Sequence, residues 1–175
     1  MIIIDEKKIF DVIETKKPVS VALNGPDGIL PKVQDLALKI NQKCGIPAYL
    51  LADATWGSCD LNSIGANVLE AEILFNIGHT NKLEIFEKNI YMINAYDDIP
   101  FDSVVEKCVK QFKGNTVSLL TDSQYLHQID HIAKTLENNG VIVKIGKGKG
   151  QLNDGQVFGC EFYPATEIKN DVDAN

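Results

Sequence analysis

Cys44, Cys59, Cys108 and Cys160 are the residues of this chain with the widest chemistry open to them. A thiolate can ligate soft metals, attack an electrophile or pair into a disulfide. Their settings differ. Cys44 stands just before Gly45-Ile46-Pro47, a helix stop, and Cys108 lies in an amphipathic stretch, so both read as packing groups. Cys59 instead falls in DATWGSCD (53–60), a tight Gly-Ser turn between the strand-like IPAYLLAD and a helix-like segment. Cys160 closes GQVFGC (155–160), behind a glycine-lysine loop. Taken singly, each of these two also reads as a small, inert hydrophobe.

Other candidates carry two readings each. Asp60 either caps the following helix or serves a site at Cys59. His79, after Gly78, either faces that site or is satisfied locally. Trp56 stacks on a ligand or packs beside its turn. His127 and His131 have the i, i+4 spacing of zinc ligands, but no Glu follows His127 as in the metalloprotease pattern. The GKGKG loop (146–150) is glycine-rich like a phosphate loop, yet lacks the GxxxxGK[ST] spacing.

These residues must be positioned by strands alternating with helices, the pattern of parallel sheets flanked by helices. We expect two similar small α/β domains, 1–88 with Cys59 and 89–175 with Cys160. In the first, Asp5 opens a short helix, VSVALN is a buried strand, and Pro31–Cys44 is a helix turning Val33, Leu36 and Ile40 to the sheet, with Leu38 beside them. Strand 47–52 leads into the Cys59 turn, followed by helix 62–72 with Ile64, Val68, Leu69 and Ala71 at helical spacing, then strand 73–77. In the second, strands are expected at 89–94, 116–121, 141–145 and near Cys160, with helices at 101–113 and 123–139. A loop at the carboxyl end of a strand is where open α/β sheets place ligands, which favours the Cys59 turn.

Composition narrows the function classes. A net charge of −7 with no basic cluster argues against holding a nucleic-acid backbone. No apolar run is long enough for a membrane helix, and MIIIDEKKIF has the wrong charge order for a secretory signal. The expected compartment is therefore the cytoplasm, where cysteines serve as thiols, metal ligands or catalytic groups instead of disulfides.

The two cysteine motifs, in this order, resemble those of the diphthamide first-step enzymes, the 2-(3-amino-3-carboxypropyl)histidine synthases of archaeal type. That family has an Asp-Pro-Thr-Tyr-Gly-Ala-Cys-Asp turn followed by a Gly-His pair. Here the positions are Asp53 to Asp60, with Cys59, then Gly78 and His79. Its second-domain ending, Gly-Gln-Val-Leu-Gly-Cys, is matched by Gly155, Gln156, Val157, Gly159 and Cys160, with Phe158 for Leu. VALNGPDGIL is similar to the family's Pro-Glu-Gly-Leu turn.

The resemblance implies a function. Three related domains each give one cysteine to a single 4Fe-4S cluster, so Cys59 and Cys160 become the expected metal ligands. Gly57, His79 and Gln156 become expected cofactor-binding residues. The cluster would cleave S-adenosylmethionine and transfer a 3-amino-3-carboxypropyl group to a histidine of elongation factor 2. A homodimer, or a heterodimer with a homologous chain, is implied as well. The chain ends soon after Cys160, with no counterpart of the third domain, and EIKNDVDAN reads as a polar tail. A truncated or partial member is therefore expected. The alternatives are a non-catalytic partner subunit and an iron-free nucleotide-binding or small-molecule-binding α/β protein.

Overall fold

Strand ends and helix stops account for most of the architecture, and each is written in a few residues. The computed structural model describes residues 1–57, 59–79, 89–150, 152–159 and 161–174. They fall into two units, one of 2–79 with 89–95, the other of Met1 with 96–174.

The first unit opens with β1 (Ile2–Ile4) and α1 (Glu6–Lys16). Asp5 caps α1 by accepting from the Lys8 amide at 3.2 Å, satisfying a donor that the helix itself leaves free. β2 (Val21–Asn24) is buried along its whole length. α2 (Leu30–Cys44) starts with a proline in its first turn and stops at Gly45, whose φ of 69° is a left-handed conformation that a glycine adopts without penalty. Val33, Leu36, Ala37 and Ile40 are its buried face. Leu38, expected beside them, is 54% exposed, because at 100° per residue it lies off the stripe that 33, 36, 37 and 40 define.

β3 (Ala48–Leu50), β4 (Ile73–Ile77) and β5 (Ile90–Ile93) complete a four-stranded, all-parallel sheet of order β3-β2-β4-β5. Side chains alternate across it. Val21, Leu23, Ile73, Phe75 and Ile77 pack with α1 and α2 on one face. Ala22, Leu51 and Leu74 pack with Ala66 of α3 (Ser63–Val68) on the other.

α3 corrects the reading of 62–72. The helix is only six residues long, and the face that meets the sheet is that of Ala66. Ile64 and Val68 are each 77% exposed. Helical spacing of apolar residues marks a face without saying that the face is the packed one, and a small residue allows the closer approach to Ala22.

β6 (Ala95–Asp97) leads into the second unit, where α4 (Asp102–Phe112), β7 (Thr116–Ser118), α5 (Ile129–Asn138) and β8 (Ile142–Lys144) surround Val105, Val117, Leu136 and Val141. β7 and β8 are parallel, in register Val117 to Val143. The expected helix from 123 begins only at Ile129, after a separate 3-10 turn over Leu126–Gln128.

Two further corrections concern the last residues. No strand runs near 160 among the described residues; isolated pairings join Thr121 to Gln156 and Phe158 to Glu161, and α6 (Tyr163–Ile168) follows. The segment read as a polar tail is also knitted in. Ser118 donates its amide to Ala174 at 2.8 Å, and Asp173 donates to Thr116 at 2.7 Å while its side chain accepts from the Thr116 amide. β7 would otherwise present an open edge, and this pairing covers it.

Candidate site at the carboxyl edge of the first sheet

In the order β3-β2-β4-β5, the connection from β2 goes to one side and that from β4 to the other. The crevice between their carboxyl ends is the switch point at which open α/β sheets hold ligands. The residues there are Asn24, the last of β2, and Asn76, its register partner on β4. Both are fully buried. Gly78, with φ of 83°, turns the chain away from β4 and leaves His79 at the same edge.

The turn bearing Cys59 is tied to that edge. Asn24 donates its amide N–H to the Asn76 carbonyl oxygen at 3.1 Å, and Asn76 donates to the Met92 sulfur at 3.5 Å. Thr55 donates its hydroxyl to Asn24 at 2.9 Å. Within the turn, Asp60 accepts from the Trp56 amide at 3.0 Å and donates its own amide to the Gly57 carbonyl at 3.0 Å. Asp60 is therefore a clasp of the turn and not the cap of α3. That cap is Asn62, which accepts from the Gly65 amide at 3.0 Å and donates to Asp53 at 2.6 Å. Cys59 is left exposed as a free thiol, and Trp56 is 89% exposed.

His79 donates to the Thr55 backbone, while burial pushes its imidazole below the usual value of 6.5 and the Asp60 charge only partly offsets this. Its Nε2 is buried and finds no partner among the described residues. Gly57 has open space where a side chain would project, so nothing in its surroundings excludes a ligand.

Gln156 belongs to the other unit and is fully buried. Its carbonyl oxygen accepts from the Asn153 backbone at 3.0 Å and side chain at 2.8 Å, whereas its Nε2 is unpartnered among the described residues. Cys160 lies outside the described residues. The GKGKG loop is closed to phosphate: Asp154 takes the Gly148 amide at 2.9 Å and the Lys147 ammonium at 2.7 Å, and Glu167 takes the Lys147 amide at 2.6 Å. Gly146 is required because a Cβ there would stand 1.8 Å from the Pro164 carbonyl oxygen. His127 sits in the 3-10 turn against the Tyr96 ring and His131 faces Asp102 at 3.6 Å, so the two do not share one helix.

A model of the diphthamide synthesis protein family matches residues 25–175. The chain belongs to that family. Among its diphthamide relatives, the 2-(3-amino-3-carboxypropyl)histidine synthase of Pyrococcus horikoshii is 24% identical over 83% of this chain and 43% of its own length. Subunit 1 of the Schizosaccharomyces pombe synthase is 27% identical over 93% of this chain and 38% of its own. The crystal structure of Dph2 from Pyrococcus horikoshii, which holds a 4Fe-4S cluster, superposes with a TM-score of 0.82 at 22% identity, over 94% of this chain and 50% of that one. This chain thus spans half or less of the length of these relatives.

The α/β class expected from the sequence agrees with that superposition. Cys59 suits an iron-sulfur cluster in donor chemistry, being a free and accessible soft ligand. Among the described residues, no three His, Cys, Asp or Glu side chains stand close enough to hold a metal by themselves. No helix among the described residues is long and apolar enough to cross a membrane.

The sequence reading missed Asn24, Asn76 and Asn62. A usable signal was present for two of them. VALN and LFN both place an asparagine after two or more buried apolar residues, at equivalent positions of two strands.

Proposed function

We propose that this chain acts in the first step of diphthamide synthesis, as a partial member of the synthase family. In this reading Cys59 and Cys160 are two thiolate ligands of a 4Fe-4S cluster. When bound, the cluster supplies the electron that cleaves a carbon-sulfur bond of S-adenosylmethionine, so that a 3-amino-3-carboxypropyl group passes to a histidine of elongation factor 2. The observation that carries the reading is the accessible Cys59 thiol, held in a clasped turn at the switch point of the sheet. The family match over 25–175 supports it.

This chain's own contribution is positional. Asp60 and Thr55 hold the turn, His79 stays neutral beside it, and Gly57 leaves room for a small molecule. Gln156 would offer a buried amide donor on the Cys160 side. We place the work in two α/β domains in the cytoplasm, with the boundary expected at 88 moved to 95 because β5 (Ile90–Ile93) joins the first sheet beside β4.

A second reading has one specific support. Relatives come as subunit 1 and subunit 2 of the synthase, so this chain fits a partner subunit that completes a homologous chain in a heterodimer. The deciding experiment is anaerobic iron and sulfide reconstitution of the parent beside Cys59→Ala and Cys160→Ala, read by visible absorption and electron paramagnetic resonance. Uptake that falls in both variants supports a shared cluster. Uptake equal in all three would reject it, and uptake only after addition of a homologous chain would favour the partner subunit.

A further inference from the structure

We infer that Thr55, Asn24 and Asn76 form a positioning network that fixes where the Cys59 thiol stands; the inference rests on the reading of Cys59 as a cluster ligand. The face of the sheet that carries Asn24 and Asn76 is otherwise apolar, with Ala22 and Leu74 one pleat away. Two fully buried amides are costly there unless each is hydrogen-bonded, so their presence needs a reason beyond packing.

Their bonds run in one direction. The Thr55 hydroxyl donates to Asn24, Asn24 to Asn76, and Asn76 to Met92, crossing β2, β4 and β5 at matching register. Bonds aligned head to tail polarise one another. Thr55 is the one member outside the sheet. Its hydroxyl has a single proton, which goes to Asn24 at 2.9 Å, since the Asp53 carbonyl is farther, at 3.4 Å. His79 holds the Thr55 backbone as well. Thr55 is thus gripped at side chain and main chain immediately before the clasp that Asp60 closes on Trp56 and Gly57.

The route from sheet to thiol is short: strand ends, Thr55, clasped turn, Cys59. None of the three network side chains is charged, so they do not compete with the thiol for iron. Partners that orient a ligand without touching the metal commonly govern how well the metal is kept.

The test uses the full chain and its Thr55→Val and Thr55→Ser variants. Trp56, the chain's one tryptophan, adjoins Thr55 and reports the turn by fluorescence anisotropy. Alkylation of Cys59, followed by peptide mass spectrometry, reports the thiol without iron. Iron retained against a chelator after anaerobic reconstitution reports the ligand.

Thr55→Val should stay folded with a melting temperature lowered by a few degrees, because it leaves the buried Asn24 oxygen unpaired, and should lower the Trp56 anisotropy, change the Cys59 alkylation rate several-fold and retain about tenfold less iron. Thr55→Ser, which restores the hydroxyl, should recover all three. Asn76→Leu should loosen Trp56 in the same way; if it does not fold, Thr55→Val still decides. Parent-like alkylation in Thr55→Val would overturn the network, as would parent-like iron retention in a parent that binds iron. If the parent binds no iron, the cluster reading fails by itself, and alkylation and anisotropy then decide whether the network holds the thiol.

Discussion

The turn at 53–60 and the loop at 146–156 both contain glycines and both precede or carry a motif of the family, yet they are built oppositely. In the first, hydrogen bonds are made among the turn's own groups and to buried amides, and the thiol is left facing outward. In the second, the Lys147 and Gly148 amides are already taken by Glu167 and Asp154, and Gly146 and Gly148 serve close backbone approach. Glycine content alone does not separate an open site from a closed one. What separates them is which donors and ligands remain unspent after the chain has satisfied itself.

The sharpest challenge to this contrast is Cys59→Ala, expected to remove most iron uptake, while Cys44→Ser and Cys108→Ser leave it near the parent level, as measured by iron content after reconstitution. Next is Gly146→Ala. Its Cβ would collide with the Pro164 carbonyl, and overpacking of this kind should lower unfolding stability by about 3 kcal/mol in denaturant titration. Gly57→Ala, which meets open space, should change stability little and would show that the glycines of the two regions have different reasons. A third outcome concerns anions: calorimetric titration of the parent with inorganic phosphate should give no heat of binding at the 146–150 loop, and a saturable signal lost in Lys147→Ala would break the contrast.

The smallest expected effect is on pH dependence. The folded imidazole of His79 ionises below 6.5 because burial disfavours its charge. A folded value below the unfolded one means stability that is complete above 6.5 and is lost as pH falls through the folded value. Melting temperature should therefore decline on acidification from neutrality, and His79→Gln should flatten that decline.

Much of this was readable beforehand where a local rule acts alone. Asp5 as a cap, Gly45 as a stop and the stripe of Val33, Leu36 and Ile40 each follow from helix geometry, and each is found. Cys59 could be singled out from its turn. What escaped depended on a second segment. The orientation of α3 is set by how closely Ala66 can approach Ala22, not by where Ile64 and Val68 fall on the helix. Residues 173–174 were read as a polar tail because their bonding partners lie on β7, more than fifty residues earlier, and backbone pairing has no side-chain signature. Asn24 and Asn76 were passed over, since nothing in either strand alone discloses that the two lie opposite each other.

The amide pair has an evolutionary corollary. Because each asparagine completes the other, replacing one leaves a buried polar group unpaired, at a cost of about 1–3 kcal/mol, whereas replacing both with apolar side chains can be nearly neutral. Intermediates on the path between the two states are therefore the disfavoured ones. Across related sequences the positions corresponding to Asn24 and Asn76 should be inherited as a unit, both amide or both apolar, with mixed pairs scarce.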